Sequence, residues 1–374
     1  MRIALVMSVF NKQGGISRYV TGLAEQFVKE HEVHLICSKY ETDIPNAHVH
    51  RHRILWRPPS LQVASNALAN YLDVRRLRRE VGFDIVHSQG AECFSQDIIC
   101  AQSCQKAAVE HLRAERGGMY RLLKPFEPRS NIVLAIEGHN YGKKAYKRII
   151  SVSQGVKREI MEQYGVPDED IAVIPNGVDL EEFKPQNKES FRGKIRGELG
   201  LDESDVVLVF TAWEFNRKGL RYIIEALPKT GKNVKLLAVG GDNQGPYRDL
   251  AQKMGVKDRV VFTGHKLNVR EYYAAADIFV FPTAYEAFSL STLEAAASGL
   301  PVLAAKVNGT EELIKDGVNG FFITRDGADI ADKIRQAQDA GLDRMGAQAR
   351  KTALGYSWEN IASATLKVYE QALG

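Results

Sequence analysis

A chain of 374 residues, 44% hydrophobic and 26% charged, is too long for one ordinary core and too apolar for a disordered or fibrous protein, so two packed domains are expected. The net charge of +4 divides into +8 over residues 1–150 and −4 over residues 151–374, and no nucleic-acid partner is expected. Four cysteines, Cys37, Cys93, Cys100 and Cys104, do not make a disulfide framework in a chain of this length, and reduced thiols in a cytosol are the simpler reading.

In chain order, the opening apolar run is too short for a secretory signal and lacks a small-residue cleavage site, so Ile3–Met7 reads as a buried first strand. A loop with Gly14-Gly15 follows, then a helix that keeps Ile16, Val20, Leu23, Ala24, Phe27 and Val28 on one face. Further strands are expected at Val33–Cys37, Val49–Leu55, Asp84–Ser88, Asp97–Ala101, Arg148–Val152 and Ile171–Ile174. Pro175-Asn176-Gly177-Val178-Asp179 is turn punctuation, and the interdomain crossing is placed there. The strand–loop–helix opening then recurs. Val206–Phe210 leads into a loop ending in Arg217-Lys218-Gly219 and a helix through Ile223, Ile224 and Leu227. Strands Val234–Val239, Val260–Thr263, Ile278–Phe281 and Val302–Ala305 follow with helices between them, and Ser357 is read as the cap of a last helix ending at Leu373. Alternating short β-branched runs and amphipathic stretches are the pattern of parallel sheets with helices on both faces. No apolar stretch reaches the roughly 20 residues a membrane-spanning helix needs.

The most specific chemical signal follows the strand Ile278–Phe281. Glu286 falls in a strand-to-helix loop and Glu294 about one turn into the next helix, whose opening amides are expected at Phe288, Ser289 and Leu290. A helix N-terminus is a ready anion site, so phosphates would lie on the amides and sugar hydroxyls on the flanking carboxylates. Two surface glutamates at a helix start, where acids are favoured anyway, are the plain alternative. The cations Arg217 and Lys218 stand at another helix start, where positive charge is disfavoured unless an anionic ligand lies near.

The stretch Ala276-Asp277-Ile278-Phe279-Val280-Phe281-Pro282, with Glu286, Leu293-Glu294-Ala295 and Gly299-Leu300-Pro301-Val302, resembles glycosyltransferase family 4, whose hallmark is two glutamates separated by seven residues in this setting. The resemblance continues through Gly14-Gly15, Asp84-Ile85-Val86-His87, Val152-Ser153, Pro175–Asp179, Arg217-Lys218-Gly219, Asn308-Gly309-Thr310-Glu311 and Ser357-Trp358. It implies an α/β protein of GT-B fold, with two Rossmann-like parallel-sheet domains facing each other across a cleft. Residues 1–176, joined by a C-terminal helix 357–374, would form the acceptor domain, and residues 177–356 the nucleotide-sugar donor domain.

By the same resemblance, the reaction is transfer of a hexose from a nucleotide sugar, with UDP expected as the family's commonest carrier, to a hydroxyl with net retention and no divalent metal or other cofactor. Glu286 would hold donor-sugar hydroxyls and Glu294 the ribose, while Arg217 and Lys218 would neutralise the leaving diphosphate. Gly14, Gly15, Phe288, Ser289, Leu290, Gly264 and Asn308 complete the expected donor contacts, and His87, Gln102 and Ser103 are the acceptor-side candidates. Two positions depart from the family: Ala212-Trp213 stand where many members have Gly-Arg, and Gln102-Ser103 where relatives carry His or Asp.

Within the family the pattern is most similar to lipopolysaccharide core glucosyltransferases. That likeness implies a cell-envelope glycan or glycolipid acceptor and a cytoplasmic enzyme in peripheral contact with the inner face of the membrane. The basic groups Arg51/Arg53/Arg57, Arg75-Arg76-Leu77-Arg78-Arg79 and the stretch Arg113–Arg148 would meet anionic lipid, unless each is an ordinary solvated face. Asp168-Glu169-Asp170 reads as a solvated turn rather than a metal site, and Cys100 and Cys104 as buried thiols. Two other readings remain: a nucleotide-sugar epimerase or hydrolase on the same fold, and a catalytically silent membrane-docking scaffold.

Overall fold

The computed structural model describes residues 1–12, 14–55, 57–116 and 128–374, with 112–116 described by backbone alone. It forms two compact units, Met1–Gly177 with Trp358–Gly374, and Val178–Ser357.

The first unit carries strands β1 (Arg2–Val6), β2 (Val9–Phe10), β3 (Glu32–Cys37), β4 (Lys39–Tyr40), β5 (His48–Arg51), β6 (Ile85–Gln89), β7 (Ile98–Ala101), β8 (Arg148–Ser151) and β9 (Ile171–Val173). Seven of them make one parallel sheet in the order β5-β3-β1-β6-β7-β8-β9, and the short pair β2-β4 lies apart from it. The inner strands are buried along almost their whole length, which is why they read as continuous apolar runs rather than alternating ones. The chain winds outward from β1 to β5, then returns to β6 and winds the other way, so its direction reverses between β1 and β6.

The second unit repeats this plan with β10 (Val206–Thr211), β11 (Val234–Val239), β12 (Val260–Gly264), β13 (Ile278–Phe281), β14 (Val302–Ala305) and β15 (Gly320–Ile323). Their order, β12-β11-β10-β13-β14-β15, is again all parallel, and the reversal falls between β10 and β13. At the amino ends of those two strands the buried Arg196 donates to Asp277 Oδ2 at 2.7 Å, and the same oxygen accepts from the Val207 amide at 2.8 Å. That staple leaves the carboxyl ends, where open α/β sheets bind ligands, to the loops.

The terminal helix Trp358–Leu373 belongs to the first unit and buries Ile361, Ala362, Thr365, Val368 and Tyr369 at helical spacing. Its Trp358 ring lies so close to Gly22 that a Cβ there would sit 2.6 Å from the indole. A glycine inside the helix Gly15–Phe27 is thus explained by the docking of this return helix.

Three expectations change. The strand expected over Val49–Leu55 stops at Arg51; by Leu55 the chain is exposed, and its amide bonds to the Ser65 hydroxyl instead of a strand. Strand β15, hidden behind the turn residues Asn319-Gly320, was not anticipated. Asp168-Glu169-Asp170 forms a 3-10 turn, but Asp170 is buried and held by Tyr146 and Lys144 rather than solvated. Of the basic groups, Arg76 pairs with Asp73 and Glu80, and Arg78 with Asp97. In the stretch Arg113–Arg148, the side chains of 113–127 lie outside the described residues. No helix among the described residues is long and apolar enough to cross a membrane.

Candidate active site

The candidate site lies at the carboxyl ends of β10 and β13, in the loops that leave the sheet on either side of its reversal. After β10 the chain makes one helical turn, Phe215–Lys218, anchored by the Phe215 amide on Asp242 at 2.7 Å. Gly219 then turns it with φ +83° into the helix Leu220–Ala226. A Cβ at Gly219 would stand 2.2 Å from the Pro282 carbonyl oxygen. Only glycine therefore allows this left-handed turn to press against the loop after β13. The Ala284 amide donates to the Arg217 carbonyl at 2.9 Å, joining the two loops backbone to backbone.

This junction brings Lys218 and Glu286 into direct contact. Thr283 donates its hydroxyl to the same Glu286 oxygen at 2.9 Å, and the Arg217 guanidinium lies 3.5 Å from it. Arg217 is itself held by the Tyr285 carbonyl and the Glu214 carboxylate. Glu286 is only 9% exposed, and the Lys218 ammonium also lies 5.0 Å from the centre of the Phe281 ring. Burial lowers the Lys218 pKa, and Arg217 adds to that effect while Glu286 opposes it. A buried ammonium of this kind is stabilised by every further anion brought to it.

The next helix, Leu290–Ala297, begins one residue after its cap. Ser289 accepts the Thr292 amide at 3.3 Å and shares a 2.7 Å bond with the Thr292 hydroxyl. The expected opening over Phe288–Leu290 is corrected accordingly: the Ser289 side chain takes the cap position, so the first-turn amides start at Leu290. Phe288 precedes the cap as a buried ring 6.3 Å from Tyr356. Glu294 is buried on this helix and accepts from Tyr273 at 3.2 Å, and the Tyr273 hydroxyl lies 2.9 Å from that of Thr211, the last residue of β10. The second glutamate is thus tied to the same end of the sheet as the first. Asn308 follows β14 in a turn organised by Thr310, which bonds the backbone of Ala305 and Val307. Gly264 ends β12 at φ +72°, its carbonyl accepting from Gly240 at 3.0 Å.

Sequence reasoning noted Trp213 only as a departure. Its ring is 63% exposed and lies against His265, with centroids 4.5 Å apart, over Gly241. The two rings, tilted by 41° to each other, form an aromatic corner beside the ends of β10–β12. An exposed tryptophan directly after an apolar strand was the signal available for it.

In the first unit, Gly14 precedes the helix Gly15–Phe27 with φ +80° and no side-chain cap, and both glycines are exposed. The acceptor-side expectation for His87 is corrected. The ring is fully buried, with Nδ1 2.5 Å from the Tyr369 hydroxyl and Nε2 3.3 Å from the Gln89 amide, and burial pulls its pKa down to about 3. It is a neutral core histidine. Gln102 and Ser103 follow β7 and are part-exposed, with Gln102 donating to Asn176 Oδ1 at 3.1 Å. Cys100 and Cys104 are buried thiols whose pKa burial pushes up to about 12.

Comparison with known proteins identifies the family and the fold. A family model described as Glycosyltransferase Family 4 matches residues 13–182, and one described as Glycosyl transferases group 1 matches residues 204–339. The chain is 28% identical to an uncharacterized glycosyltransferase of Methanocaldococcus jannaschii, over all of this chain and 99% of that protein. It is 32% identical to the D-inositol 3-phosphate glycosyltransferase of Nocardia farcinica, over 60% of this chain and 53% of that one. Among solved structures, WaaG, a glycosyltransferase involved in lipopolysaccharide biosynthesis, superposes with a TM-score of 0.77 at 23% identity, covering 98% of this chain and 99% of WaaG. HepE of Anabaena in complex with UDP-glucose superposes with a TM-score of 0.71 at 20% identity, covering 99% of this chain and 100% of HepE. With both parallel sheets matched in fold and the two family models spanning one unit each, the chain belongs to the family 4, group 1 glycosyltransferases of GT-B fold.

Proposed function

We propose that this glycosyltransferase moves a hexose from a UDP-sugar to a hydroxyl of a cell-envelope glycan or glycolipid, with retention at the anomeric carbon and without a divalent metal. The observation that carries the reading is the convergence of Lys218 and Arg217 on Glu286 beside the capped helix Leu290–Ala297. Two cations and first-turn helix amides supply the positive field a leaving diphosphate needs. On donor binding, the diphosphate competes with Glu286 for Lys218, and the released carboxylate turns to the hydroxyls of the sugar. Glu294, held by Tyr273, receives the ribose, and the exposed face of the Trp213 ring is suited to a flat base. The acceptor hydroxyl then attacks from the face the diphosphate leaves, and a phosphate oxygen takes its proton. The protein's part is orientation and charge stabilisation, not a strong nucleophile.

UDP as the carrier is supported by HepE, a structural neighbour solved with UDP and with UDP-glucose. A lipid-linked acceptor is supported by the helix Pro59–Glu80, which exposes Leu61, Leu68 and Leu72 beside Arg75 and Arg79. Exposed leucines flanked by arginines suit an anionic membrane surface, here the cytoplasmic face. A second reading of the acceptor, a small phosphorylated polyol, is favoured by the D-inositol 3-phosphate glycosyltransferases among the relatives.

Calorimetric titration with UDP, GDP and ADP, followed by donor turnover with and without acceptor, tests the proposal. Binding of UDP and acceptor-dependent release of UDP from UDP-hexose are expected. Donor consumed equally fast without acceptor would make the chain a hydrolase or epimerase, and binding of no nucleoside diphosphate would leave a silent scaffold. Adding glycolipid and inositol phosphate acceptors in parallel separates the two acceptor readings.

A further inference from the structure

The edge of the first sheet carries a cluster of imidazoles that the transfer reaction does not use. In β5, His48 and His50 alternate with Val49 and Arg51, so the two rings share one face of the strand. His34 stands directly opposite His48 in the neighbouring β3, and Glu32, two residues earlier, shares the His34 face. The three rings lie nearly parallel, with His34 4.7 Å from His48 and 5.2 Å from His50 between centroids. One ligand atom each from Glu32, His34 and His48 can be chosen so that all lie within 4.8 Å of one another.

We propose that Glu32, His34 and His48 bind a divalent transition-metal ion of the zinc type, with His50 as the residue that orients His34. Two imidazoles and one carboxylate are a borderline-soft nitrogen and oxygen set, which favours Zn²⁺, Ni²⁺ or Cu²⁺ over Mg²⁺ or Ca²⁺. The hydrogen bonds around His34 already suit this role. Its Nδ1 is 2.9 Å from His50 Nε2 and its Nε2 is 3.0 Å from Glu32 Oε1. In the tautomer with the proton on Nδ1, donated to His50, His34 presents the Nε2 lone pair toward the Glu32 oxygen, and a cation held by both takes the place of the Nε2–Glu32 hydrogen bond. A ligating histidine characteristically donates its other ring N–H to such a partner. Glu32 Oε2 is held separately by Arg2 at 3.2 Å, which leaves Oε1 for the ion.

Tetrahedral zinc places its ligand atoms about 3.3 Å apart, so the group has to contract slightly. His34 is buried and Glu32 is already placed by Arg2 and His34, whereas His48 is exposed and is the ligand that moves. Since a metal lies in the plane of each imidazole it binds, His48 tilts out of its stack with His34 to reach it, and water completes the coordination. The cluster sits toward the amino ends of β3 and β5, opposite the carboxyl ends at which such sheets hold substrates. The ion is therefore structural: it clips the edge strand β5, which pairs on one side only, to β3.

The test uses the full chain, free of any purification tag, stripped with chelator and titrated with Zn²⁺ by calorimetry, and it is independent of whether the proposed transfer reaction is correct. One saturable site is expected, with a rise in apparent melting temperature by mass action. His48→Ala should weaken binding by at least about 100-fold and His50→Gln by about 10-fold. If His48→Ala proves unfolded by circular dichroism, Glu32→Gln carries the same expectation. Wild-type protein that takes up no Zn²⁺ at a single site, or folded His48→Ala or Glu32→Gln chains that bind it as tightly as wild type, would overturn the proposal.

Discussion

The two units solve one topological problem with opposite chemistry. At the reversal of the second sheet, the loops after β10 and β13 meet through Lys218, Arg217 and Glu286, and two cations stand on one carboxylate next to a helix start. At the reversal of the first sheet, the loops after β1 and β6 meet through Ser8 and Glu92. There the carboxylate accepts from the Ser8 amide at 2.9 Å and from Asn66 at 2.5 Å, while Asn70 and Asn140 hold the backbone of Glu92 and Cys93. In the second sheet, Lys218 and Arg217 are gathered where an anionic ligand can take the place of the Glu286 carboxylate, with Glu214 remaining on Arg217. In the first sheet the amide-bound Glu92 closes its loops on each other, and burial pushes that carboxyl up to about 7. The same strand order around the reversal thus carries different side chains at the carboxyl ends, and fold alone does not fix what a site does.

The comparison breaks most visibly at Lys218. Lys218→Ala should lower kcat/KM by about 10²–10³-fold, measured with the donor established for the wild-type enzyme. Because the lysine contacts a buried glutamate, some stability is lost as well, about 1–3 kcal/mol, limited by the Arg217 and Thr283 contacts that remain. If activity survives in the folded variant, the ion pair is merely structural and the two reversals are alike after all.

A next, smaller effect is expected at Gly219. Gly219→Ala combines a left-handed backbone with a clash on the Pro282 carbonyl, and urea denaturation should show a loss of about 2–4 kcal/mol. Turnover should fall with it, since the neighbouring Lys218 is displaced. A neutral substitution would mean that the two loops are not pressed together as described.

The smallest effect sharpens the first unit. Glu92 and Glu137, the latter accepting the Gln105 amide and the Tyr164 hydroxyl, are both pushed by burial from 4.5 up to about 7. Between those values the folded chain keeps protons that the unfolded chain has released. Their stabilising contribution is therefore complete below about pH 4.5 and is lost as the pH rises through 7, by about 1–3 kcal/mol for each group. Denaturation midpoints of wild type and Glu92→Gln, measured at pH 5 and pH 7.5, should differ in slope, with the variant flatter. Equal slopes would show that Glu92 stays ionised in the fold.

The donor-side site was legible because its parts are local. Arg217-Lys218 and Glu286 to Glu294 each fall in a short stretch, a loop and the helix start after it, that follows an apolar strand, and two adjacent cations at a helix start are unusual enough to be noticed in one dimension. The first unit's polar cluster was not legible, since Ser8, Asn66, Glu92 and Asn140 come from four separate segments with no common spacing. His87 misled for a related reason. A histidine near the expected end of a strand looks the same whether it meets solvent or, as here in the middle of β6, a tyrosine 282 positions later.

Most strand and helix identities, the parallel sheets and the residue types of the Lys218–Glu286 loops were therefore determined by the sequence alone, because hydrophobic period and loop chemistry are short-range properties. Which carboxylate meets a cation and which meets only amides, and where three imidazoles stack against one glutamate, was decided by tertiary structure. Those contacts depend on strand order and register, and register is set only when the whole sheet closes around its core.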